Sequence, residues 1–507
     1  MKTLSIKRLV GILFLIIVFS NSCKKILSPT LQGQITVDNL VTNQAGIMTL
    51  VNGLYNPLIS MYNGPLTRLT DMASNDGWSA RVETDPDYFS VAPGYNYTTD
   101  FWSSSYKGIV NANAVLANVN GVTDFSSAAI QNSVKGQAYF LRAFYYFNLV
   151  RLFGGVPLII KQVNSQDDAQ QPRASIQDVY TRIKADLDSA IGLLPVSYSG
   201  AANLEVGRAT SYSATALKTL VYLETNEWAS AAAGANSIIT SNKFSLQTNY
   251  ANNFNGTAEN GPQSLFEVQY SSISGTYGNL YQSFAPAVSP YSSSFAVAPT
   301  DDSLAIGGVG GANRGGQSFV QAFEPGDLRK NTIITAYNIP NVLQSGRGPG
   351  TLYYVNKYLN LTNAIGQSPW NVPVIRYAEI LLADAEALNE TGYVADGPAF
   401  SMLNTVRQKA GLPNLTSATV STQAAFRTAL QHERRIELAF ECKSFFDLNR
   451  WGTLAAATQP QLDKVNVIFP VAKQITNPFT KMPYYLYPVP AYEIANNAKI
   501  SGQNPGY

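Results

Sequence analysis

The chain has 507 residues, with 35 Lys and Arg against 33 Asp and Glu, for a net charge of +2. No basic run or stripe stands out, which argues against nucleic acid as a partner, and this length calls for two or three domains or one helical array rather than a single small core. Aromatic residues make up 11%, with 29 Tyr, and the polar share leans to Asn, Ser, Thr and Gln; such a surface suits an ordinary extracellular protein, or one that meets neutral, hydroxyl-rich ligands.

The N-terminus carries "LVGILFLIIVFSNSCKK", Leu9 to Lys25, behind Lys2, Lys7 and Arg8. Its uncharged stretch, Leu9 to Phe19, is too short to span a bilayer as a stable helix and reads as a secretory signal over residues 1–22. Ser20 and Ser22 flank Asn21 just before Cys23. They suit an ordinary signal peptidase, and equally a lipoprotein peptidase that requires the cysteine, although a bacterial lipobox usually has a larger aliphatic residue in place of Ser20. The other cysteine is Cys442. A Cys23–Cys442 disulfide would tie a new N-terminus to a distant helix, whereas acylation of Cys23 leaves Cys442 a single thiol that can be buried and inert. Lipidation of Cys23, with two or more acyl chains for stable anchoring, is the expectation. No later apolar run is long enough for a membrane span, so attachment rests on Cys23.

Further along, "SNDGWSARVETDPD" (Ser74 to Asp87) is a polar loop. Asp76, Asp85 and Asp87 could coordinate calcium, but their spacing is not that of an EF-hand, and no metal is expected. Trp102 precedes the helix "YKGIVNANAVLANV" and is assigned to the core. In "SVKGQAYFLRAFYYFNLVRLFGGVP" the positions Val134, Ala138, Leu141, Tyr145, Leu149 and Leu152 step by three or four, and Gly154, Gly155 and Pro157 stop the helix. "SIQDVYTRIKADLDSAIGLLP" repeats the pattern at Ile176, Val179, Ile183, Leu187, Ala190 and Leu194, with Ser175 as N-cap and Pro195 beyond. "SATALKTLVYLETNEWASAAAGANSII" reads as two helices joined at Asn226, a helix-turn-helix unit of tetratricopeptide type.

Residues 242–370 differ: Gly, Ser, Asn, Pro and Tyr dominate, giving a loop-rich insert with short strands such as "SLFEVQY" at 264–270. Its "GGVGGANRGG" (Gly307 to Gly316) lacks the lysine and Ser/Thr of a phosphate loop and reads as a mobile surface loop. Helices return at Pro373 to Leu388 and Phe400 to Ala410, and a last long one runs through "AAFRTALQHERRIELAFECKSFFDLNRWG" to Gly452. The helices are expected to form a right-angled scaffold of stacked pairs.

Catalytic chemistry is thin. His432 is the single histidine, so a histidine zinc site or a Ser/His/Asp hydrolase would have to use it; it reads as a helix-surface or packing residue. A glycosidase needs two facing carboxylates, and no such pair announces itself. The glutamates of "HERRIELAFE" alternate with Arg434 and Arg435, as in ion pairs that hold helices together. No catalytic residue, cofactor or enzyme activity is expected.

Three stretches together resemble the SusD/RagB family of surface lipoproteins that accompany TonB-dependent outer-membrane transporters. "GQAYFLRAFYYFNLVRLFGGVPL" (Gly136 to Leu158) is similar to its first signature helix, with Arg142 and the Gly-Gly-Val-Pro exit in place. "ERRIELAFECKSFFDLNRWG" (Glu433 to Gly452) resembles the second, with Cys442 where a glycine is usual, and "YYLYPVPAYEI" with the terminal "QNPGY" matches the ending. The resemblance implies a mostly α fold, a tetratricopeptide-like helix-pair scaffold of four units with a loop-rich variable insert that carries the ligand contacts. The chain then divides into residues 23–241 and 371–507 as the two helical parts and 242–370 as the insert. It further implies capture of a polymer fragment at the cell surface and delivery into a SusC-like barrel, over which the protein acts as a hinged lid. Arg142, Arg434, Glu437 and Arg450 are scaffold residues in that picture. One branch of the family is associated with peptides, which keeps a peptide-binding lipoprotein as the alternative; a secreted glycoside hydrolase is the remaining one.

Ligand contacts are chosen by chemistry, because no motif aligns the family's binding residues here. Pyranose rings lay axial C–H faces on flat aromatic rings, while their hydroxyls seek amides, carboxylates and guanidinium groups. Two places combine these: "SNDGWSAR", with Trp78 beside Asn75, Asp76 and Arg81, and "YSSISGTYGNLYQSFAPAVSPYSSSF", with Tyr277, Tyr281 and Tyr291 among Ser and Gly. The bland alternative is that these aromatics are buried packing or a loose loop.

Overall fold

Small hydroxyl residues open the helices. Ser127, Ser175 and Thr422 each accept a hydrogen bond from the backbone N–H three residues on, and Thr210 forms a reciprocal capping box with Ser213, which satisfies donors that the first helical turn leaves unpaired. Gly154, at φ 73°, closes the longest helix in a conformation that a side chain disfavours. The computed structural model describes residues 41–79, 86–198, 206–280, 284, 297–299, 319–339, 350–359, 366–463 and 466–507.

Three short helices, α1 (Gln44–Gly53), α2 (Asn56–Tyr62) and α3 (Pro65–Thr70), lead into α4 (Asn96–Asn118) and α5 (Ala128–Phe153). Then come α6 (Ile176–Leu193), α7 (Ser211–Glu224) and α8 (Trp228–Ile239), followed after the insert by α9 (Tyr377–Thr391), α10 (Pro398–Lys409), α11 (Gln423–Glu437) and α12 (Ser444–Arg450). Successive helices pack side by side from α4 to α8, and α9 then packs directly on α8 before taking α10 and α11. The helical array therefore closes across the insert, and the chain is mostly α with a helix-pair scaffold, as expected.

The middle of the array is α5. From Phe140 to Val150 every residue is buried, and each large apolar side chain so buried stabilises the fold by about 1.5–3 kcal/mol. Arg142 lies inside this stretch and cannot stay unpaired there. Its guanidinium donates to both Asp186 carboxylate oxygens, at 2.8 and 2.7 Å, and to Asn113 Oδ1 at 2.6 Å, tying α4, α5 and α6 together. Trp102 is 1% exposed and meets Phe153 edge to face at 5.1 Å. It is a core residue as expected, although α4 begins before it, at Asn96.

The strands form antiparallel pairs: β1 (Gly77–Ser79) with β3 (Val297–Pro299), β2 (Ser264–Val268) with β6 (Val372–Arg376), β4 (Ile334–Ile339) with β5 (Gly350–Val355), and β7 (Gln474–Thr476) with β8 (Pro483–Tyr485). Two helix expectations are corrected. Pro373 to Arg376 is strand β6, and the helix starts at Tyr377 because β2 claims that segment as its partner. The last long helix is two, α11 and α12, broken where Phe440 and Cys442 take φ of 58° and 60°. Tertiary bonds hold the break: Cys442 N–H donates to Asp71 Oδ1 at 3.1 Å, Lys357 Nζ to Ala439 O at 2.8 Å, and Tyr358 Oη to Phe440 O at 3.2 Å.

The three sequence stretches that carry the family resemblance meet in space. Tyr487 N–H donates to Leu152 O at 2.8 Å, a backbone bond at the exit of α5, and Asn504 Nδ2 donates to Phe153 O and Tyr487 O at 2.9 and 2.6 Å. Asn449 of α12 pairs with the backbone of Tyr485 in both directions, at 2.9 and 2.7 Å.

Candidate functional site

The two stretches chosen for ligand chemistry come from opposite sides of the helical N-terminal half, and backbone pairing joins each of them to something distant in sequence. β1, which contains Trp78, pairs with β3 of the insert in the register Gly77↔Pro299, Trp78↔Ala298 and Ser79↔Val297. Tyr277, half-buried, sits in a loop held by one side chain at the end of α2: Asn63 Nδ2 donates to Tyr277 O at 2.9 Å, and Asn63 Oδ1 accepts from Asn279 N–H at 2.8 Å. Gly278 in turn bridges to Ser368, at 2.7 and 3.2 Å.

Asp76 and Asn75 are held from behind. Arg435 donates to Asp76 Oδ1 at 2.5 Å and to Asn75 O at 2.9 Å, and its guanidinium lies 5.5 Å from the Phe319 ring centroid. Asp76 is 1% exposed. It anchors the loop, which narrows the expectation that its carboxylate meets a ligand directly. Asn75 is half-buried at the loop surface. The backbone of Trp78 is described; Arg81, Tyr281 and Tyr291 lie outside the described residues, as do Cys23 and Gly307 to Gly316.

Under the loops is an aromatic floor. Phe319 and Phe284 both meet Phe440, at 5.1 and 6.0 Å, and Phe284 stacks on Tyr358 at 5.4 Å. Trp370 is an aromatic that the sequence reading passed over. It is half-buried two residues beyond the Ser368 bridge, and its indole lies so close over Gly256 that a Cβ there would come within 2.4 Å. Its surroundings, "GQSPWNVP", carry the same signal of an aromatic among polar and proline residues that picked out Trp78.

An ionic spine ties the insert to the scaffold. Glu433 and Glu437 on α11, and Glu441 just past it, follow one another at helical spacing and face basic residues from four other segments. Arg407 and Arg329 donate to Glu433 at 3.0 and 2.6 Å. Arg329 and Arg376 donate to Glu437 at 3.0 and 2.8 Å, and Arg376 and Lys357 donate to Glu441 at 2.7 Å each. Burial opposes ionisation of Glu441, yet Arg376 and Lys357 outweigh it and hold its pKa at about 2. Burial pulls Lys357 down to about 8 against the pull of Glu441. The other signature residues pair similarly: Arg434 with Asp447 at 3.0 Å and Arg450 with Glu386 at 2.6 Å. Arg142, Arg434, Glu437 and Arg450 are thus engaged in holding elements together.

Two chemical expectations can be placed. His432 is a partly exposed helix residue 3.9 Å from Glu324, its pKa lowered by burial. Cys442 is a free, buried thiol. Among the described residues no group of three or more His, Cys, Asp or Glu could hold a metal; Asp85 lies outside them. Among the described residues, β1 is joined to β3, the Tyr277 loop to Asn63 and Ser368, and Arg435 links Asp76 to the ring cluster of Phe319, Phe440 and Phe284.

Comparison with known proteins agrees with the fold. A family model described as "SusD family" matches residues 329–507, and one described as "Starch-binding associating with outer membrane" matches residues 21–223. SusD-like protein P2 of Formosa agariphila is 28% identical over 456 residues, 83% of this chain and 82% of its own. A SusD superfamily protein of Bacteroides vulgatus superposes with a TM-score of 0.75 at 22% identity, covering 91% of this chain and 98% of that one. Surface glycan-binding protein A of Bacteroides thetaiotaomicron, solved in complex with laminarihexaose, gives 0.70 at 20% identity, covering 91% and 100%. With its two ends matched by models of one family over about three quarters of its length, the chain belongs to the SusD/RagB family.

Proposed function

We propose that this protein is a cell-surface glycan-binding lipoprotein, anchored to the outer membrane through Cys23, that captures oligosaccharides and passes them to a TonB-dependent SusC-like barrel. It binds and does not cleave. The observation that carries this reading is the pairing of β1 with β3, which sets the Trp78 backbone against the insert. Together with the Asn63 clamp on the Tyr277 loop, it supports one ligand surface assembled from both chosen stretches. Asn75, Trp78, Arg81, Tyr277, Tyr281 and Tyr291 are the proposed contacts, with Asp76 behind them. Trp370 is added as a further ring.

The first test is a calorimetric panel of neutral hexasaccharides, beginning with laminarihexaose because a fold neighbour holds it. Trp78→Ala and Tyr281→Ala should each weaken the best binder by about tenfold, the scale of one lost ring-stacking contact, with an unchanged circular dichroism spectrum. Unchanged affinity in both variants would remove this site assignment. Purified protein should release no new reducing ends from the same polysaccharides. Cys23→Ala should abolish incorporation of labelled palmitate, and purification in mild detergent should bring down a large barrel protein. Peptide binding in a parallel pull-down, with the saccharide panel silent, would replace the ligand class.

A further inference from the structure

Away from the loop surface, a cleft of about 600 Å³ opens between the turn before α7, the segment after α8 and strand β2. Its size is in the range of small-ligand sites, about 300–1,000 Å³. The Tyr212 and Phe244 rings meet edge to face on its wall at 5.4 Å, and Phe244 stacks on Tyr377 at 6.3 Å. These rings are fixed before anything binds, which lowers the ordering cost of binding. Val196 and Val206, 62% and 43% exposed, lie on the rim with the exposed Ser197 and Lys243. The wall thus joins flat apolar faces to a hydroxyl and an ammonium donor.

The backbone of β2 decides between two ligand classes. An extended peptide adding alongside β2 would need its free carbonyls. Those of Leu265 and Glu267 already accept from Ser213 Oγ at 2.6 Å and from Gln269 Nε2 at 3.2 Å. The Glu267 carboxylate is likewise occupied, by the Asn260 N–H at 3.0 Å and Asn371 Nδ2 at 3.1 Å. What the cleft still presents is rings and side-chain donors, the combination that a pyranose uses.

We propose that this cleft is a second saccharide-binding site, which rests on the glycan-binding reading above and adds to it a contact on the helical scaffold. The wild-type protein, titrated calorimetrically with the best binder from laminari-, malto-, xylo- and mannohexaose, should take up a second equivalent of sugar. Tyr212→Ala and the surface change Lys243→Ala should each weaken that second equivalent by about tenfold, Tyr212→Phe should retain it, and all three should leave the event sensitive to Trp78→Ala unchanged. A single equivalent that is indifferent to Tyr212→Ala and Lys243→Ala would overturn the second site while leaving the glycan-binding reading in place. Silence of the wild type across the whole panel would overturn both.

Discussion

Asp71 is a carboxyl enclosed by protein, with Cys442 N–H on one oxygen at 3.1 Å and the Cys442 thiol 3.6 Å from the other. Burial raises its pKa to about 8, against the Cys442 hydrogen bonds and with the help of the nearby Asp76 charge. The unfolded chain gives up this proton near pH ~4. Between the two values the native state keeps a proton that the unfolded state has lost, so this group's contribution to stability is full below about pH 4 and falls as pH rises toward about 8. Asp71→Asn keeps an acceptor for Cys442 and removes the titration. Its melting temperature relative to wild type should therefore be higher at about pH 8.5 than at about pH 5, and an equal difference at both would refute the assignment. Cys442 itself has φ 60°, the left-handed region in which an L side chain is disfavoured. The family's usual glycine there was legible in the sequence as a departure, but the turn that needs it was not.

At the scale of elements, the spine of Glu433, Glu437 and Glu441 both misled the sequence reading and explains the fold. Their spacing of four keeps helical period past the true end of α11 at Glu437, so periodicity alone could not reveal the break. The break is imposed by distant partners, Asp71, Lys357 and Tyr358, which no local pattern encodes. The N-terminal helices were legible because their caps and stops lie next to their apolar stripes: Ser175 opens α6 and Gly154 ends α5 as read. The insert was legible only in outline. Its "SLFEVQY" strand is β2, but its partner, β6, lies over a hundred residues on and by its local pattern reads as the start of the helix that follows it. Removing one cation from the spine should be severe, because it strands buried carboxylates. Arg376→Ala, which leaves Glu437 and Glu441 short of their shared guanidinium, should cost about 3–5 kcal/mol in urea unfolding. Asn63→Ala tests the lighter contact. It frees the Tyr277 loop of both clamp bonds, so stability should fall by only about 1–2 kcal/mol, while protease cutting in 270–284 rises and glycan affinity drops.

For the whole molecule, the insert and scaffold share one set of buried contacts. Arg329 and Lys357 reach from the insert into the spine, and the C-terminal tail closes on the exit of α5. Guanidinium unfolding should accordingly be a single transition, with circular dichroism and tryptophan fluorescence tracing coincident curves; an early fluorescence change with helix content intact would show that the insert melts by itself. The two phenylalanines on the aromatic floor carry a separate consequence. Phe284 and Phe319 both rest on Phe440, so they fix where the chain between them leaves and returns. Doubling the length of a loop between fixed ends adds only about 0.6 kcal/mol of closure cost. Length alone therefore does not limit what a relative could supply between these two rings; the constraint on such a graft is the pairing of β3 with β1, which it must keep in register.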